Sequence, residues 1–568
     1  MCGIVGIIGS DPKNATVVEN MLLAQQHRGP DSRQVWNDES IYLGHNRLSI
    51  IDLSTHADQP MHSTCGTYVV VFNGEIYNYL ELKQQLASHY TFKTSSDTEV
   101  LLAAYIVWGK HLLEQLNGMF SFAIWNKKEK TFFAARDRFG VKPFYYTVFQ
   151  NQFYFSSEIK TLFATAVPKV KNVKVWANYY SYGTYGLPDE TFFEGIAQLP
   201  GGHYLEIDLK TNRVPPAVTI TKWYDFAGRI AQIQSLSKVE LQEAYKGLLI
   251  DAIQLRFRAD VPLGMNVSGG LDSSTLISLV HQNLPFHQSI EAFTFYSNNE
   301  NYDELPWVNA LMAKTPYPLN KVLLDYAEIP QLIEDVSYHQ DEPFGGFPTL
   351  AYSLLFKSAR SKGIKVILDG QGIDESLAGY DYYHNNSNSV IQGLQSSPVR
   401  PEAIDLDFTK FAAKERYETP FDNALQNMQY RDLFYTKMPR ALRFNDRISM
   451  MHSTELREPF LDYRLVELGF AQSQAMKFQN GQTKWLLRDL VQEQLGGSIA
   501  LAPKRPLQTP QREWIANELL DYFNAKIDAF SNLDFVHKKE VQHIWNDYKN
   551  GNQDNSFYIW QWVNTVVV

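Results

Sequence analysis

Residues 264–283 read GMNVSGGLDSSTLISLVHQN, and this stretch decides the fold of the second half of the chain. A short apolar run ends in adjacent glycines, and a segment with helical spacing follows them directly. The same order recurs in AFTFYS (292–297), which precedes a helical segment, and KVILDGQG (365–372) leads into a turn. Such alternation predicts an α/β domain with a parallel sheet, whose loops lie at the carboxyl ends of the strands. Beyond about residue 420 the spacing predicts mostly helices.

The chain before about residue 210 has a different pattern, in which short β-rich runs alternate with helical segments. The runs, bounded by Gly, Asn or Asp, are CGIVGIIG, IYLGHNRLSI, TYVVVFNGEIY, GMFSFAIWN, KTFFAARD and QFYFSSE. NYLELKQQLASHY and DTEVLLAAYIVWGKHLLEQL have the spacing of helices. This mixture predicts an α+β sandwich with its sheet layers inside. A turn-rich stretch at 200–219 places the domain boundary between about 210 and 235, so we expect domains at 1–215 and 235–568.

Composition excludes several classes of function. The chain has 568 residues, 44% of them hydrophobic and 20% charged, which is typical of globular proteins and enough for two or more domains. Its formal net charge of -10 argues against a nucleic-acid partner, because surfaces that bind phosphates are basic. We expect no signal peptide, because the first residues lack a positively charged segment before an apolar core, and no apolar run is long enough to span a membrane. Cys2 and Cys65 build no disulfide framework. We therefore expect a cytoplasmic protein with no membrane partner.

The second residue of the chain, in MCGIVGI (1–7), is a cysteine, and this stretch alone leaves two readings open. Cys2 is either a small hydrophobe that begins a buried strand or a nucleophile. Removal of Met1 would leave a thiol and a free α-amino group on Cys2, and the amino group could accept the thiol proton near neutral pH. Met1 blocks this base, so we expect Cys2 to act only after Met1 is removed.

Three further stretches offer what such a thiol needs, an oxyanion hole and a clamp for its substrate. Asn73 and Gly74 supply a side-chain amide and an approachable backbone N–H, although an Asn-Gly pair is also typical of a hairpin turn. Arg47, in an apolar strand, needs a carboxylate, and a substrate carboxylate would suit its planar fork. Asp97 stands just ahead of a helix, where a helix cap and a ligand for a substrate ammonium group are the alternatives.

VSGGLDSS (267–274), at the centre of the opening stretch, has the residues of an anion site. Adjacent glycines and the start of a helix expose backbone N–H groups, and the helix dipole adds to their attraction for an anion. No Lys follows the glycines, so this is not the loop that transfers a γ-phosphate. A carboxylate in such a loop, Asp272, implies Mg²⁺ between it and the phosphates, and Asp374 is its natural partner. Lys484, in a predicted helix, is either a solvated lysine or the group that neutralises the α-phosphate.

In the order in which they stand, MCGI, HRGPD, RLSI, NGEIYN and SDTE resemble the class II glutamine amidotransferases, whose N-terminal-nucleophile sandwich has the layers αββα. The resemblance implies that Cys2 attacks the side-chain amide of glutamine, that Asn73 and Gly74 form the oxyanion hole, and that Arg47 holds the glutamine α-carboxylate. The other implied glutamine ligands are Gly74, Glu75 and Asp97 at the α-amino end and Leu48, Ile50 and Ile51 as backbone and apolar wall. The product is ammonia, which must be kept from water and passed onward.

The SGGxDS motif resembles the PP-loop of ATP pyrophosphatases, which split ATP between its α- and β-phosphates. With RDRFGVKPFYY (136–146), FSSEIK (155–160) and LREPFLDYRLVE (456–467), the whole chain resembles the glutamine-hydrolysing asparagine synthetase family. The family reaction activates a carboxylate as an acyl-adenylate, releases pyrophosphate and lets ammonia attack the acyl carbon. The resemblance implies ATP and Mg²⁺ as cofactors, with Lys484 as a catalytic residue. The implied ATP ligands are Val267, Ser268, Gly269, Gly270, Asp272, Ser273, Phe295, Asp369 and Gly370, and the metal ligands are Asp272 and Asp374.

The sequence differs from the asparagine synthetase motif in the loop beside the site of the acceptor, the carboxylate that receives the nitrogen. Gln371 stands where asparagine synthetases have a glutamate, and Asp369 where they have a serine, in DGQGIDE against SGEGSDE. A glutamine amide does not accept a proton at pH 7. Aspartate is the default acceptor, and the carboxylate of a uronic acid or another metabolite is the alternative. The residues of a glutaminase site argue against an enzyme that cyclises its substrate and needs no ammonia. The presence of motifs for both sites argues against a catalytically inactive protein that only senses glutamine or a nucleotide. The oligomeric state, with a homodimer as one candidate, stays open.

Overall fold

The computed structural model describes residues 1–211, 213–234, 236–284, 290–384, 397–502 and 508–568, and its first part contains two six-stranded sheets. Neighbouring strands in both sheets are antiparallel. The first sheet consists, in spatial order, of Ala197–Gln198, Tyr145–Phe149, Gln152–Ser156, Gly3–Ile8, Ile41–Arg47 and Ser32–Asn37. The second consists of Thr219–Lys222, His203–Asp208, Thr131–Arg136, Gly118–Asn126, Tyr68–Ile76 and Met61–His62.

Alternation of side chains explains why the two sheets pack face to face with helices outside them. Ile4 and Ile8 belong to the core between the sheets, whereas Val5 and Ile7 pack on the side of the helix Asn14–Ala24. The helices on the outer face of the second sheet are Tyr79–Leu86 and Asp97–Trp108. The other helices of this part are Leu112–Gln115, Ile159–Phe163 and Val173–Tyr182. The layers are αββα, so the predicted N-terminal-nucleophile sandwich is confirmed.

The second part is built on a five-stranded sheet in which every neighbouring pair is parallel. Its strands, in spatial order, are Leu319–Leu323, Glu291–Tyr296, Leu263–Asn266, Val366–Leu368 and Glu455–Arg457. The central strand, Leu263–Asn266, comes first in the chain, and later strands are added on either side of it. Loops at the carboxyl ends of parallel strands separate at such a point and leave a crevice for a ligand. The loops after Leu263–Asn266 and Val366–Leu368 therefore border one crevice.

Helices make up most of the rest of the chain, so an α/β parallel-sheet domain with a mostly helical C-terminal part is confirmed. These helices are Phe226–Ala231, Lys238–Arg256, Leu271–Asn283, Leu305–Met312, Ile329–Gln340, Phe347–Ser361, Ile373–Ser376, Leu406–Thr409, Ala424–Phe434, Lys437–Met451, Tyr463–Ala471, Gln474–Lys477, Trp485–Leu495, Gly497–Ala500, Gln511–Ala516, Leu520–Ser531, Lys538–Lys549 and Phe557–Val567. Phe478–Gln479 and Gln482–Thr483 form a small hairpin. In the part of the chain that the structure describes, no helix has both the length and the apolar character needed to cross a bilayer.

The structure contains strands that the sequence pattern did not predict. Glu455–Arg457 lies where helices were expected, and it is a strand because its backbone completes the parallel sheet beside Val366–Leu368. Thr219–Lys222 pairs with His203–Asp208, so the second antiparallel sheet continues beyond residue 215. Edge strands owe their conformation to a partner that is distant in sequence, which a local pattern does not reveal. The domain boundary between about 210 and 235 stays a prediction.

Candidate functional site

Cys2 lies buried directly before the first strand, Gly3–Ile8, and two side chains hold its backbone. The N–H of Cys2 donates to Asn73 Oδ1 at 3.0 Å, and its carbonyl oxygen accepts from Arg28 Nε at 3.0 Å. Burial raises the pKa of the Cys2 thiol. Because the thiolate is the reactive form, a thiol with a raised pKa needs a neighbouring base before it can attack a substrate.

Asn73 and Gly74 lie inside the strand Tyr68–Ile76, so the hairpin-turn reading is wrong. Both pair with the strand Gly118–Asn126, which continues on either side of them. A Cβ on Gly74 would lie 2.1 Å from the carbonyl oxygen of Met119, so only glycine permits this approach. Asn73 is fully buried, and its Nδ2 has no hydrogen-bond partner among the described residues. A buried amide donor without a partner is costly, and a substrate oxyanion would satisfy it.

Arg47 ends the strand Ile41–Arg47 and is buried close to the thiol segment. Its Nη1 donates to Asp58 Oδ1 at 2.8 Å and to the carbonyl oxygen of Ser54 at 2.7 Å. The chain itself therefore supplies the carboxylate that Arg47 needs, and the carboxylate of a bound glutamine would share the guanidinium with Asp58. The predicted apolar wall residues are buried in one cluster with the side chain of Met1, and they are Leu48, Ile50 and Ile51.

Asp97 is the first residue of the helix Asp97–Trp108 and does not cap it, so the cap reading is wrong. Ser96 is the cap, because its Oγ accepts the N–H of Thr98 at 3.1 Å. Asp97 Oδ2 accepts the N–H of Ile76 at 2.9 Å, next to Glu75 in the strand. Burial raises the pKa of Asp97 to about 6, and burial with the charges of neighbouring carboxylates raises the pKa of Glu75 well above its ordinary value. A substrate ammonium group would favour the ionised form of both carboxyl groups.

The α-ammonium group of Met1 contacts Glu455 Oε2 at 2.8 Å, and both groups are fully buried. Glu455 also contacts Arg457 Nε at 2.5 Å, so a strand of the parallel sheet reaches the start of the chain. With Met1 attached, the nitrogen of Cys2 is an amide and offers no base. Sequence reasoning missed Glu455, because nothing in its local pattern shows that it lies opposite the first residue.

Buried charges join the segment around Cys2 to the helix Lys437–Met451. Arg28, which holds the carbonyl oxygen of Cys2, contacts Glu158 Oε1 at 2.9 Å and Asp446 Oδ2 at 2.8 Å. Sequence reasoning assigned no role to these three residues, although HRGPD and FSSEIK contain Arg28 and Glu158. Their position as charged residues inside these motifs was the signal that could have identified them. Buried ion pairs of this kind position their neighbours, and removal of one partner leaves the other charge uncompensated.

The loop between the strand Leu263–Asn266 and the helix Leu271–Asn283 has the form of an anion cradle. Two of its serines contact each other: Ser273 Oγ accepts the N–H of Ser268 at 3.2 Å and lies 3.2 Å from Ser268 Oγ. Gly269 has a φ of 67°, a left-handed conformation that favours glycine. The first turn of the helix leaves N–H groups without intrahelical partners, so the loop and the helix start can bind a phosphate together.

Asp272, Asp374 and Lys484 meet at the crevice of the parallel sheet, although they are far apart in the chain. Lys484 Nζ lies 2.6 Å from Asp272 Oδ2 and 2.8 Å from Asp374 Oδ1. The prediction that Lys484 lies inside a helix is wrong. Lys484 stands directly before the helix Trp485–Leu495, with a φ of 55°. Its side chain is buried, so the solvated-lysine reading is wrong. Burial lowers the pKa of Lys484, but the two carboxylates outweigh burial and raise it overall.

Val267, Ser268 and Phe295, the predicted adenine-binding residues, line one small cavity of about 20 Å³. Sequence reasoning missed Asn266, which also lines the cavity and donates from Nδ2 to Asp369 Oδ2 at 2.9 Å. Gly370 and Gly270 lie close by at the helix start, where a Cβ on Gly370 would be 3.1 Å from Asp272 Cβ.

A cavity of about 680 Å³ lies apart from these groups, between the segment 181–190 and the helices Ala424–Phe434 and Lys437–Met451. None of the residues predicted to bind glutamine or ATP lines it. Its size alone does not make it the reactive site, because the convergent polar groups lie elsewhere.

Comparisons with known proteins agree with this arrangement. Residues 1–222 match the family model for the glutamine amidotransferase domain, and residues 244–567 match the one for asparagine synthase. Asparagine synthetase (glutamine-hydrolyzing) 1 of Bacillus subtilis is 28% identical, over 99% of this chain and 95% of the relative. Putative asparagine synthetase (glutamine-hydrolyzing) 2 of Methanocaldococcus jannaschii is 34% identical, over 67% of this chain and 76% of the relative. Amidase chry2 of Gibberella zeae is 26% identical, over 94% of this chain and 92% of the relative.

Proposed function

The chain belongs to the asparagine synthase family, and from this premise we propose that its two candidate sites carry out one glutamine-dependent amidation. Its relatives identify it as a glutamine-hydrolysing ligase. The first site would release ammonia from glutamine, and the second would bond that ammonia to an activated carboxylate. The observation that carries the proposal is the meeting of Asp272, Asp374 and Lys484 where the parallel sheet opens a crevice.

Glutamine hydrolysis would begin at Cys2 once Met1 has been removed. The free α-amino group would take the thiol proton, and the thiolate would attack the carbon of the glutamine side-chain amide. Asn73 Nδ2, which has no partner among the described residues, and the N–H of Gly74 would stabilise the oxyanion. The protonated amino group would return its proton to the leaving nitrogen as ammonia departs. Water would then hydrolyse the thioester on Cys2 and release glutamate.

The two ends of glutamine differ in charge, and the site offers a matching set of groups. Arg47 would bind the α-carboxylate, while Glu75 and Asp97 would bind the α-ammonium group. Both carboxyl groups have raised pKa values, so a bound ammonium group would stabilise their ionised forms. This electrostatic complementarity favours an α-amino acid over a simple amide.

ATP-dependent activation would take place at the crevice of the parallel sheet. The loop from Ser268 to Ser273 would hold the phosphates, and Phe295 would line the adenine pocket. The acceptor carboxylate would attack the α-phosphate and form an acyl-adenylate, and the bond to pyrophosphate would break. Lys484 would turn from its two carboxylates to the phosphates and neutralise the charge that develops there. Ammonia would then attack the acyl carbon, and AMP would leave.

The acidic residues of the crevice fit Mg²⁺. Asp272 and Asp374 converge on one cationic position, which the ammonium group of Lys484 now fills. Among the described residues, no three His, Cys, Asp or Glu side chains are grouped to hold a metal ion. Mg²⁺ typically binds one or two carboxylates and completes its shell with water and substrate phosphates. Asp272 and Asp374 would hold the ion, whose charge would make pyrophosphate a better leaving group.

Aspartate is the default acceptor, with asparagine as the product. A different carboxylate, such as a uronic acid or another metabolite, is the second candidate. Gln371 favours this second candidate, because it replaces the glutamate of the asparagine synthetase motif beside the acceptor. The similarity to amidase chry2 over most of both chains also favours it.

A screen of carboxylic acids for ATP-dependent pyrophosphate release tests the proposal. We expect one class of acid to release pyrophosphate and AMP in equal amounts, with ammonium or glutamine as the nitrogen source. Aspartate and uronic acids form the two main arms of the screen. Release of ADP and phosphate instead would contradict the adenylate route, and inactivity of aspartate beside an active uronic acid would decide the acceptor.

A further inference from the structure

Glu458 stands at the same edge of the parallel sheet as the nucleotide loop. It follows the strand Glu455–Arg457, which pairs with Val366–Leu368, and the N–H of Asp369 donates to the carbonyl oxygen of Arg457 at 3.0 Å. Asp369 and Glu458 are therefore the first residues after two paired parallel strands. The carboxyl end of a parallel sheet is where ligands bind in such folds.

The turn that begins at Glu458 contacts the loop that contains Gln371. A Cβ on Gly372 would lie 2.6 Å from Leu461 Cδ2, so the two loops have almost no space between them. The N–H of Leu461 donates to the carbonyl oxygen of Glu458 at 3.1 Å, which keeps the turn compact. The turn from Glu458 to Leu461 thus packs against the loop in which asparagine synthetases have a glutamate and this chain has the amide of Gln371.

Glu458 also lines a small cavity of about 20 Å³ between the two parts of the molecule. Met119 and Val141, from the antiparallel sandwich, line its other side. The carbonyl oxygen of Met119 packs against Gly74, the proposed oxyanion donor, where a Cβ would come within 2.1 Å of it. The cavity is therefore bordered on one side by Met119, which contacts Gly74, and on the other by Glu458 and Leu461, whose turn packs against the loop that contains Gln371.

The carboxylate of Glu458 is buried, with 5% of the residue exposed. Among the described residues it has no hydrogen-bond partner and no cation within 4.0 Å, whereas the charged groups around it have partners of their own. Arg256 pairs with Asp462 at 3.1 Å. Lys142 lies 3.7 Å from Asp446, and Asp369 is bonded to Asn266.

Two more charged residues line the cavity, and both have hydrogen-bond partners. Asp137 accepts the N–H groups of Phe120 at 3.1 Å and Lys142 at 3.0 Å, and Arg138 donates to the carbonyl oxygen of Leu116 at 2.6 Å. Burial therefore dominates the ionisation of Glu458 and raises its pKa to about 8. A general base works best with a pKa near the working pH.

We propose that Glu458 is the proton acceptor of amide formation, a role that rests on the proposed amidation. When ammonia attacks the acyl-adenylate, a C–N bond forms and the acyl C–O bond to the phosphate breaks. AMP leaves with that electron pair, and one N–H proton passes to the carboxylate of Glu458. Gln371 has no basic atom for this step, and Glu458 lies on the adjoining turn.

The test compares Glu458→Gln with the parent full-length enzyme, supplied with ATP, the acceptor found in the pyrophosphate screen, and ammonium or glutamine. We expect the first-turnover release of pyrophosphate and the formation of glutamate to stay within about twofold of the parent, because neither step needs this proton acceptor. The single-turnover rate of amide formation after pyrophosphate release should fall about 100-fold, which is within the range that one general base contributes. Glu467→Gln is the matched control, because Glu467 is buried but paired with Tyr224 and Arg229, and its single-turnover rate of amide formation should not change.

The pH dependence supplies a second readout. At a fixed concentration of free ammonia, the single-turnover rate of amide formation in the parent should rise through about pH 8, and in Glu458→Gln it should be flat. Glu458→Gln should also melt at the same temperature as the parent or higher, because it removes a buried carboxylate without a described partner. A lower melting temperature with all activities reduced together would mean a structural role and overturn the proposal.

An unchanged single-turnover rate of amide formation in Glu458→Gln would overturn this proposal alone. A parent enzyme that releases no pyrophosphate with any carboxylate would overturn the proposed function and this proposal with it.

Discussion

The reactivity of Cys2 depends on atoms that belong to its nearest neighbours. Burial raises the pKa of its thiol, and the base that would offset this is an amide nitrogen while Met1 is attached. The ammonium group of Met1 is paired with Glu455 in a fully buried site. Asn73 Nδ2, which has no hydrogen-bond partner among the described residues, is the complementary feature, because it can donate to an oxyanion. Each of these properties rests on single side chains, and one substitution can change it.

Cys2→Ala should abolish amide formation from glutamine and leave amide formation from ammonium at the parent level. The physical reason is that only the first reaction needs a thiolate. The measurement is product formation with each nitrogen source at saturating ATP and acceptor. Enzyme that retains Met1 should behave like Cys2→Ala, and equal loss with both nitrogen sources would contradict the nucleophile assignment.

The decisive elements are two loops at the carboxyl edge of the parallel sheet. The loop after Leu263–Asn266 forms the anion cradle, and the loop after Val366–Leu368 brings Asp374 to Lys484. Gly372 fixes the second loop, because it has a φ of 111° and its Cα faces Leu461 with no room for a side chain. The geometry of the acidic pair therefore depends on one glycine in a turn.

Gly372→Ala should lower pyrophosphate release at least about tenfold, since the new Cβ would lie 2.6 Å from Leu461 and displace the loop that holds Asp374. Gly363→Ala is the matched control, because Gly363 has a φ of 78° with no atom within 4 Å of the new Cβ. Both variants bear the cost of a left-handed alanine, about 1–2 kcal/mol. Comparable pyrophosphate release in the two variants would refute the positioning role of Gly372.

At the scale of the whole molecule, buried ion pairs connect the antiparallel sandwich to the second part. Arg28 contacts Glu158 from the same part and Asp446 from the helix Lys437–Met451. Burial alone raises the pKa of Asp446, but Arg28 and Lys142 outweigh burial and hold the pKa below its ordinary value. The pair therefore stabilises the folded molecule wherever Asp446 is ionised, and it keeps Arg28 on the carbonyl oxygen of Cys2.

Asp446→Asn should lower the free energy of unfolding by up to about 3–5 kcal/mol at pH 7, because it removes one of the two carboxylates that compensate the buried Arg28 and the one that faces the buried Lys142. Urea unfolding of parent and variant measures this difference. The advantage of the parent should be complete above pH 3.8, the ordinary pKa of Asp, and disappear as the pH falls through the lower pKa of the folded state. Glu418→Gln provides the comparison, since its pair with Lys222 also joins the two parts but is exposed, so the loss should be below about 1 kcal/mol. Equal losses would contradict the role of burial.

Local sequence was sufficient to predict those strands and helices whose residue pattern shows which side chains are buried. Short β-rich runs predicted the strands Gly3–Ile8 and Tyr68–Ile76, and helical spacing predicted the helix Asp97–Trp108. The glycine loop of the anion cradle could also be predicted, because adjacent glycines directly before a helix are typical of a phosphate-binding loop. Short edge strands such as Glu455–Arg457 could not be predicted, because pairing with a partner strand, and not a local residue pattern, makes them extended.

The sequence by itself determined which groups the chemistry can use, because the identity of a thiol, an amide, a carboxylate or an ammonium group does not depend on the fold. Cys2, Asn73, Asp272 and Lys484 could therefore be selected from motifs before any contact was known. Only the tertiary structure decided which of these groups meet and how they ionise, because burial and neighbouring charges act through space. The raised pKa of the Cys2 thiol, the Nδ2 of Asn73 without a described partner and the two carboxylates on Lys484 all arise from residues distant in the chain.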